Sequence, residues 1–293
     1  MHASLPTRSP LDEAQNLVNL QRYPIDQPSS IETQTLIADC QRQLDETGCC
    51  RLREFLNPNA LELFRKESEK LSVRAHYSNI LANVYFSKDD ESFPKDHPKR
   101  FFFNRTSGFV RADSFPADSV LRKLYNWPAL APFVRACLKV EKLYKYSDPL
   151  SYIAFNVIKP GQEFPWHFDN NHVSVTIVTQ AAEKGGTFEY CQNIRSVDNE
   201  NYDGVMKVLK GDRSLVRSLN LMPGDLQIFK GRYSLHRVTR VEGSKPRYTA
   251  IFSYSQEPQM LGKAYRSLQL YGKVTSHHYE SEKTASRMDG LED

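Results

Sequence analysis

The sequence predicts a mainly β protein with flanking α-helices, its core a β-sandwich or jelly-roll barrel. Between about 142 and 256, short runs rich in Val, Ile, Tyr and Phe (SYIAFNVI, HVSVTIVTQ, GTFEYC, SLNLMPGDLQIF, SLHRVTRV, RYTAIFSY) alternate with Gly, Pro and Asn turns. Many short strands broken by turns give that texture. Helical spacing is found in the segments on either side. At 293 residues and 33.8 kDa, with 40% hydrophobic and 25% charged residues, the chain suits one domain with additions and can bury a core.

Residues 1–30 are polar and rich in Pro and Ser, an extended leader laid along the surface. Residues 31–141 read as a helical and lid region packed on the core. Ile31, Leu36, Ile37, Cys40 and Leu44 recur at helical spacing over 31–47, and Gly48 stops that helix. CCRLREFL then alternates as a strand, and Asn57-Pro58 opens a second helix to about Leu71. From 76 to 117 the charged stretch SKDDESFPKDHPKR reads as a loop and Phe101-Phe102-Phe103 as a buried strand. A long loop in a compact domain is often functional, which makes this stretch the candidate lid. Helical turns cover 118–139. Residues 142–256 form the β core, and 257–293 return to a mixed, helical and partly exposed extension.

Composition removes several classes. The 39 basic and 35 acidic residues leave a charge of +4, too mild and evenly spread for a nucleic-acid surface. No apolar run approaches the ~20 residues of a membrane span. Met1–Pro10 lacks a signal-peptide core, so a cytoplasmic protein is expected. The five cysteines include no C-x-x-C pair and read as reduced thiols.

Four features follow one another in the β-rich region. His167-Phe168-Asp169 comes after the Pro160-Gly161 turn. Residues two apart on a strand share a face, so His167 and Asp169 can meet one ion. Gly185-Gly186 precedes a strand, and the Pro223-Gly224-Asp225 turn leads to His236. Arg247 lies eleven residues further on, on the last strand. Two histidines and a carboxylate cover one face of a roughly octahedral ion and leave the other open, as non-haem Fe(II) sites do. Arg247 is a fork-shaped cation that matches a carboxylate. A lone H-x-D arises by chance, and a lone arginine forms surface salt bridges; the ordered set carries the metal reading. Asp225, Gly185 and Gly186 read as turn residues, Trp166 as packing, and His277-His278 as surface residues, since adjacent positions diverge.

The series H-x-D, GG-x-FEY, PGD-x-x-x-FKGRYSLHRV and KPRYTAIFSY resembles the Fe(II)/2-oxoglutarate-dependent oxygenases. More narrowly it resembles the bacterial branch of free-amino-acid radical halogenases of the lysine-chlorinating type and their hydroxylase relatives. LVNLQRYPID, NVIKPGQEFPWHFDNN, NIRSVDNENYDGV and RMDGLED extend the resemblance over nearly the whole chain. It implies a double-stranded β-helix (jelly-roll, cupin-like) core flanked by helices. It implies His167, Asp169 and His236 as iron ligands and catalytic set. Arg247 would hold the distal carboxylate of 2-oxoglutarate, with Asn156 or Tyr152 helping at its other end, and O2 would be the further co-substrate.

The halogenases have glycine where this chain has Asp169, and they need the vacated position for chloride. The carboxylate therefore implies hydroxylation of an unactivated C–H bond over chlorination, with release of succinate and CO2; desaturation stays open. The substrate implied is a small molecule, a free amino acid or derivative. Asn170, His172 and Arg105 are the candidates to touch it. Arg105 or Arg100 would meet a substrate carboxylate, or be a solvated charge beside a loop; Glu189 would meet a cationic group, or solvent. Two rivals stand beside this reading: the same chemistry on a peptide or protein side chain, and a non-catalytic carboxylate- or metal-binding β-barrel sensor.

Overall fold

The computed structural model describes residues 14–78, 80–284, 287 and 289–291. In chain order the elements are α1 (Ile31–Thr47), β1 (Cys49–Leu52), α2 (Pro58–Ser72), β2 (His76–Tyr77), β3 (Ile80–Ala82), β4 (Phe103–Arg105), β5 (Gly108–Val110), α3 (Val120–Asn126) and α4 (Leu130–Cys137). The central strands are β6 (Tyr144–Lys145), β7 (Ile153–Ile158), β8 (Phe164–His167), β9 (Val173–Gln180), β10 (Lys184–Gly185) and β11 (Phe188–Cys191). After α5 (Tyr202–Leu209) come β12 (Arg217–Leu219), β13 (Leu226–Phe229), β14 (Leu235–Val238), β15 (Val241–Glu242), β16 (Arg247–Ser255), α6 (Ala264–Tyr271) and α7 (Ser276–Thr284).

Local chemistry sets the first helices. Ser30 accepts from the Thr33 N–H to cap α1, which ends where Gly48 takes a left-handed φ of 73°. Asn57 caps α2 at the Ala60 N–H, with Pro58 in the first turn.

Two antiparallel sheets face each other, the jelly-roll core expected, and they do not close into a barrel. The larger runs β1-β13-β9-β16-β7-β5-β2, with β6 added on β16; the smaller runs β12-β11-β14-β8. Strand alternation gives the larger sheet two unlike faces. On β9, Val173, Val175 and Ile177 enter the main apolar core, while Ser174 and Thr176 face the cavity between the sheets. On β16, Tyr248, Ala250, Phe252 and Tyr254 face that core, and Arg247, Thr249, Ile251 and Ser253 face the cavity. Helices α1 to α4 cover the apolar face through Ile37, Phe64, Leu121, Leu124 and Phe133. Burying each such side chain contributes roughly 1.5–3 kcal/mol.

Three expectations are corrected. The described part of the leader does not lie on the surface: Leu17, Val18, Tyr23 and Ile25 are buried in the main core, because apolar residues interrupt its polar composition. Its first thirteen residues lie outside the described ones. Phe101 and Phe102 belong to no strand and are half-buried; β4 starts at Phe103. The C-terminal extension is helical as expected, yet Arg266, His278, Asp289 and Leu291 are buried. His278 is not a surface residue, because its ring is drawn inward by Asp148.

Candidate metal centre and adjoining cavity

His167 ends β8 and stands opposite His236 on β14, whereas Phe164 stands opposite Val238. Three steps on β8 therefore answer two on β14, a β-bulge. The bulge breaks strict alternation, so Phe164 and His167 both face the cavity while Trp166 packs into a separate cluster. Asp169 lies beyond the end of the strand, so strand alternation is not what places it beside His167. Its N–H donates to the Gly231 carbonyl at 3.0 Å, and Ser174 Oγ donates to its Oδ2 at 2.6 Å. A Cβ at Gly231 would come within 1.9 Å of that Oδ2; the site needs glycine there.

Asp169 Oδ1 lies 3.8 Å from His167 Nε2 and 3.4 Å from His236 Nε2. On their far sides, His167 Nδ1 donates to Pro165 O at 2.7 Å and His236 Nδ1 to Ser234 O at 2.9 Å. A carbonyl only accepts, so the protons sit on Nδ1 and the Nε2 lone pairs face the carboxylate. Burial, reinforced by His236, holds His167 well below the ordinary histidine range, so it is neutral. Burial alone would raise the Asp169 carboxyl, but it lies below the usual carboxylate range, with the Ser174 hydroxyl donating to it. Lone-pair donors converge with no proton between them, which is what a cation requires. Among the described residues this is the single such cluster of three or more His, Cys, Asp or Glu, and two histidines with one carboxylate suit non-haem iron.

Arg247 shares the cavity. It is 4% exposed, and its Nη1 donates to Thr249 Oγ1. Burial brings it down to about 10 with no acidic group offsetting the shift. Gly186 makes room for it: at φ 62°, a Cβ there would lie 2.9 Å from Arg247 Cδ. A buried guanidinium with no carboxylate beside it suits an incoming anion. Asn156 lines the same space, with Nδ2 donating to Gly108 O at 3.2 Å. Tyr152 does not: it precedes β7, its ring packs 5.6 Å from Tyr125 and its hydroxyl accepts from Arg122 on the helical side.

The remaining candidates divide. Asn170 lines the cavity; its Nδ2 donates to Tyr146 Oη at 2.8 Å and Leu261 O at 3.3 Å, and its Oδ1 is buried without a partner. His172 turns away, its Nδ1 3.2 Å from Ser255 Oγ and its Nε2 3.7 Å from Glu257. Arg105 lies one layer behind the wall, its guanidinium 5.3 Å and 5.6 Å from the rings of Phe109 and Phe164. Its Nε and Nη2 have no hydrogen-bond partner, and burial brings it down to about 9. Arg100 pairs with Asp89 at 2.9 Å, and Glu189 with Arg213 and Arg237.

Sequence reasoning missed Asp148 and the α6 side chains Arg266, Ser267, Leu270 and Tyr271, all on the cavity wall. Among the described residues of 76–117, Phe109 alone lines it. Thr176 and Gln227, also missed, were within reach of the strand alternation; Thr176 Oγ1 donates to Gln227 Oε1 at 2.8 Å.

A family model described as halogenase D matches residues 32–267. No curated protein matches the chain. Among solved structures, the chain is similar to the non-haem α-ketoglutarate-dependent carbocyclase SnoK from nogalamycin biosynthesis: TM-score 0.54, 13% identity, covering 76% of this chain and 85% of that one. It is also similar to AviO1 from Streptomyces viridochromogenes Tue57, at TM-score 0.51 and 15% identity over 77% and 96% of the two chains. At these identities the likeness is one of fold.

Proposed function

The chain belongs to the halogenase D family, and from that membership we propose that it is an Fe(II)- and 2-oxoglutarate-dependent dioxygenase. We assign it hydroxylation of an unactivated C–H bond of a small substrate, a free amino acid or derivative, with release of succinate and CO2. The observation that carries this reading is one cavity holding both the His167–Asp169–His236 cluster and the buried Arg247. In it, the three clustered side chains would hold iron. Arg247, with Thr249 beside it and Asn156 nearby, would hold the distal carboxylate of 2-oxoglutarate. The bound metal and 2-oxoglutarate supply O2 activation.

This chain's residues do the orienting. Pro165 O and Ser234 O fix both imidazoles in the metal-binding tautomer. The far end of the cavity supports an amino-acid substrate. Asp148 is buried there and accepts from His278 Nε2 at 3.2 Å. Among the described residues no lysine or arginine pairs with Asp148, which suits a substrate ammonium; the orphaned Asn170 Oδ1 offers a second acceptor. Arg266, on the same wall, suits a substrate carboxylate. We place the protein in the cytoplasm, where its free, buried thiols suit a reducing compartment.

A second reading, chlorination, is favoured by the family's description; Asp169, filling the position chloride would take, weighs against it. The test is purified protein with Fe(II), 2-oxoglutarate, O2, chloride and a panel of free amino acids, read by mass spectrometry. A gain of one oxygen is expected. Replacement of hydrogen by chlorine moves the assignment to halogenation. Absence of any substrate-dependent succinate removes the free-amino-acid oxygenase.

A further inference from the structure

The loop that carries Asp169 lies outside any strand, so its geometry depends on bonds from elsewhere. The Phe168 N–H donates to Val84 O at 3.0 Å and the Asp169 N–H to Gly231 O at 3.0 Å. Arg266 Nη2 donates to Phe168 O at 2.7 Å. The last bond reaches the residue just after Asp169: Arg232 Nη1 donates to Asn170 O at 3.1 Å.

Arg232 is fully buried. Its fork is filled by the carboxylate of Asp289, Nε to Oδ2 at 2.6 Å and Nη2 to Oδ1 at 2.5 Å. A two-point pair fixes the guanidinium plane, and that plane aims Nη1 at the loop. Asp289 is itself tied down. Leu291 N–H donates to its Oδ1 at 3.4 Å, and the neighbouring Gly290 N–H to Val197 O at 2.9 Å. Arg287 Nη2 donates to Leu261 O at 2.5 Å, the same carbonyl that accepts from Asn170 Nδ2. Asp289 and Arg287 thus reach Asn170 from two sides, and both lie beyond residue 267, where the halogenase D match stops.

We propose that Asp289 supports the metal centre: acting through Arg232, it is a positioning residue for the Asp169 loop. The proposal rests on the metal reading above. A buried guanidinium must place each N–H on an acceptor, and here the one beyond the Asp289 pair falls on a carbonyl of the Asp169 loop. Lysine at 232 would keep a charge for Asp289 but has no fork with which to reach Asn170 O as well.

The test uses the full chain loaded with Co(II), a visible-absorbing stand-in for Fe(II), and follows loss of the ion to a chelator. Wild type should bind one equivalent; failure there sinks the metal reading itself and is distinguishable from failure of the strap. Asp289→Asn and Arg232→Lys should each release Co(II) about 10–100-fold faster, the range for lost partners of a ligand shell, with a changed Co(II) spectrum. Asp225→Asn serves as control. It breaks a different buried pair, to Arg51 at 2.5 Å, and should lower the melting temperature while leaving release and spectrum unchanged. Should Asp289→Asn fail to fold, Arg232→Lys decides alone. Wild-type release and spectrum in a folded Arg232→Lys overturn the proposal, as does equally fast release from Asp225→Asn.

Discussion

A methyl group at Gly231 would meet Asp169 Oδ2 at 1.9 Å, far inside contact distance, so Gly231→Ala must displace the Asp169 carboxylate. A folded variant with Co(II) affinity at least ~10-fold weaker is expected; unchanged affinity by titration would show that the carboxylate does not need its present place. Arg247 gives a different signature. Arg247→Ala removes charge-assisted bonds of roughly 2 kcal/mol, so the KM for 2-oxoglutarate should rise about 30-fold while that for substrate barely moves; initial rates at varied co-substrate check this. Asp169→Ala should abolish succinate release, and Asp169→Gly with chloride tests whether the vacated position admits a halide. The residues of the cluster were legible because they sit in a fixed order with characteristic neighbours. The bulge before His167 and the role of Gly231 were not, since both depend on pairings between distant segments. Tyr152 shares strand parity with Asn156, but β7 begins only at Ile153, and parity has no meaning before a strand starts.

At the scale of elements, the helical wall of the cavity is what composition did not indicate. A charged, Pro-containing stretch was the natural candidate, yet the cavity's helical wall is α6, which presents Arg266, Ser267, Leu270 and Tyr271 to it. These are neighbours on one helical face, a pattern visible in AYRSLQLY only once the partner surface is known. Asp148 accepting from His278 ties α7 to the same wall. On the proposed function, α6 would tune the substrate side and leave the co-substrate side alone. Leu270→Ala, which opens space beside the substrate region, should shift KM among amino acids of different size by roughly 10-fold, with the 2-oxoglutarate KM unchanged. A matching shift in the co-substrate KM would show that the two ends of the cavity are not separable. Glu91→Ala, in the exposed charged loop, should alter neither value.

Across the whole molecule, stability and chemistry are assigned to opposite faces of one sheet. The fold class was legible because alternation in runs such as HVSVTIVTQ encodes both faces at once; the order β1-β13-β9-β16-β7-β5-β2 was not, because register between distant strands leaves no local trace. Ile177 and Thr176 are chain neighbours on β9 that point to opposite sides. Ile177→Ala empties part of a fully buried site and should cost about 2–5 kcal/mol in denaturant unfolding. At temperatures where it stays folded, its Co(II) affinity should remain within ~two-fold of wild type, as for independent sites. Thr176→Val is the mirror case. It keeps the side-chain volume, removes the hydroxyl bonded to Gln227, and should change stability by only about 1 kcal/mol. Its effect should fall on the cavity, as a raised KM for 2-oxoglutarate. If Ile177→Ala loses metal as readily as it loses stability, the sheet transmits strain between its faces and the division of labour fails. If both variants behave as stated, the helices packed on the outer face can be altered for stability without retuning the site.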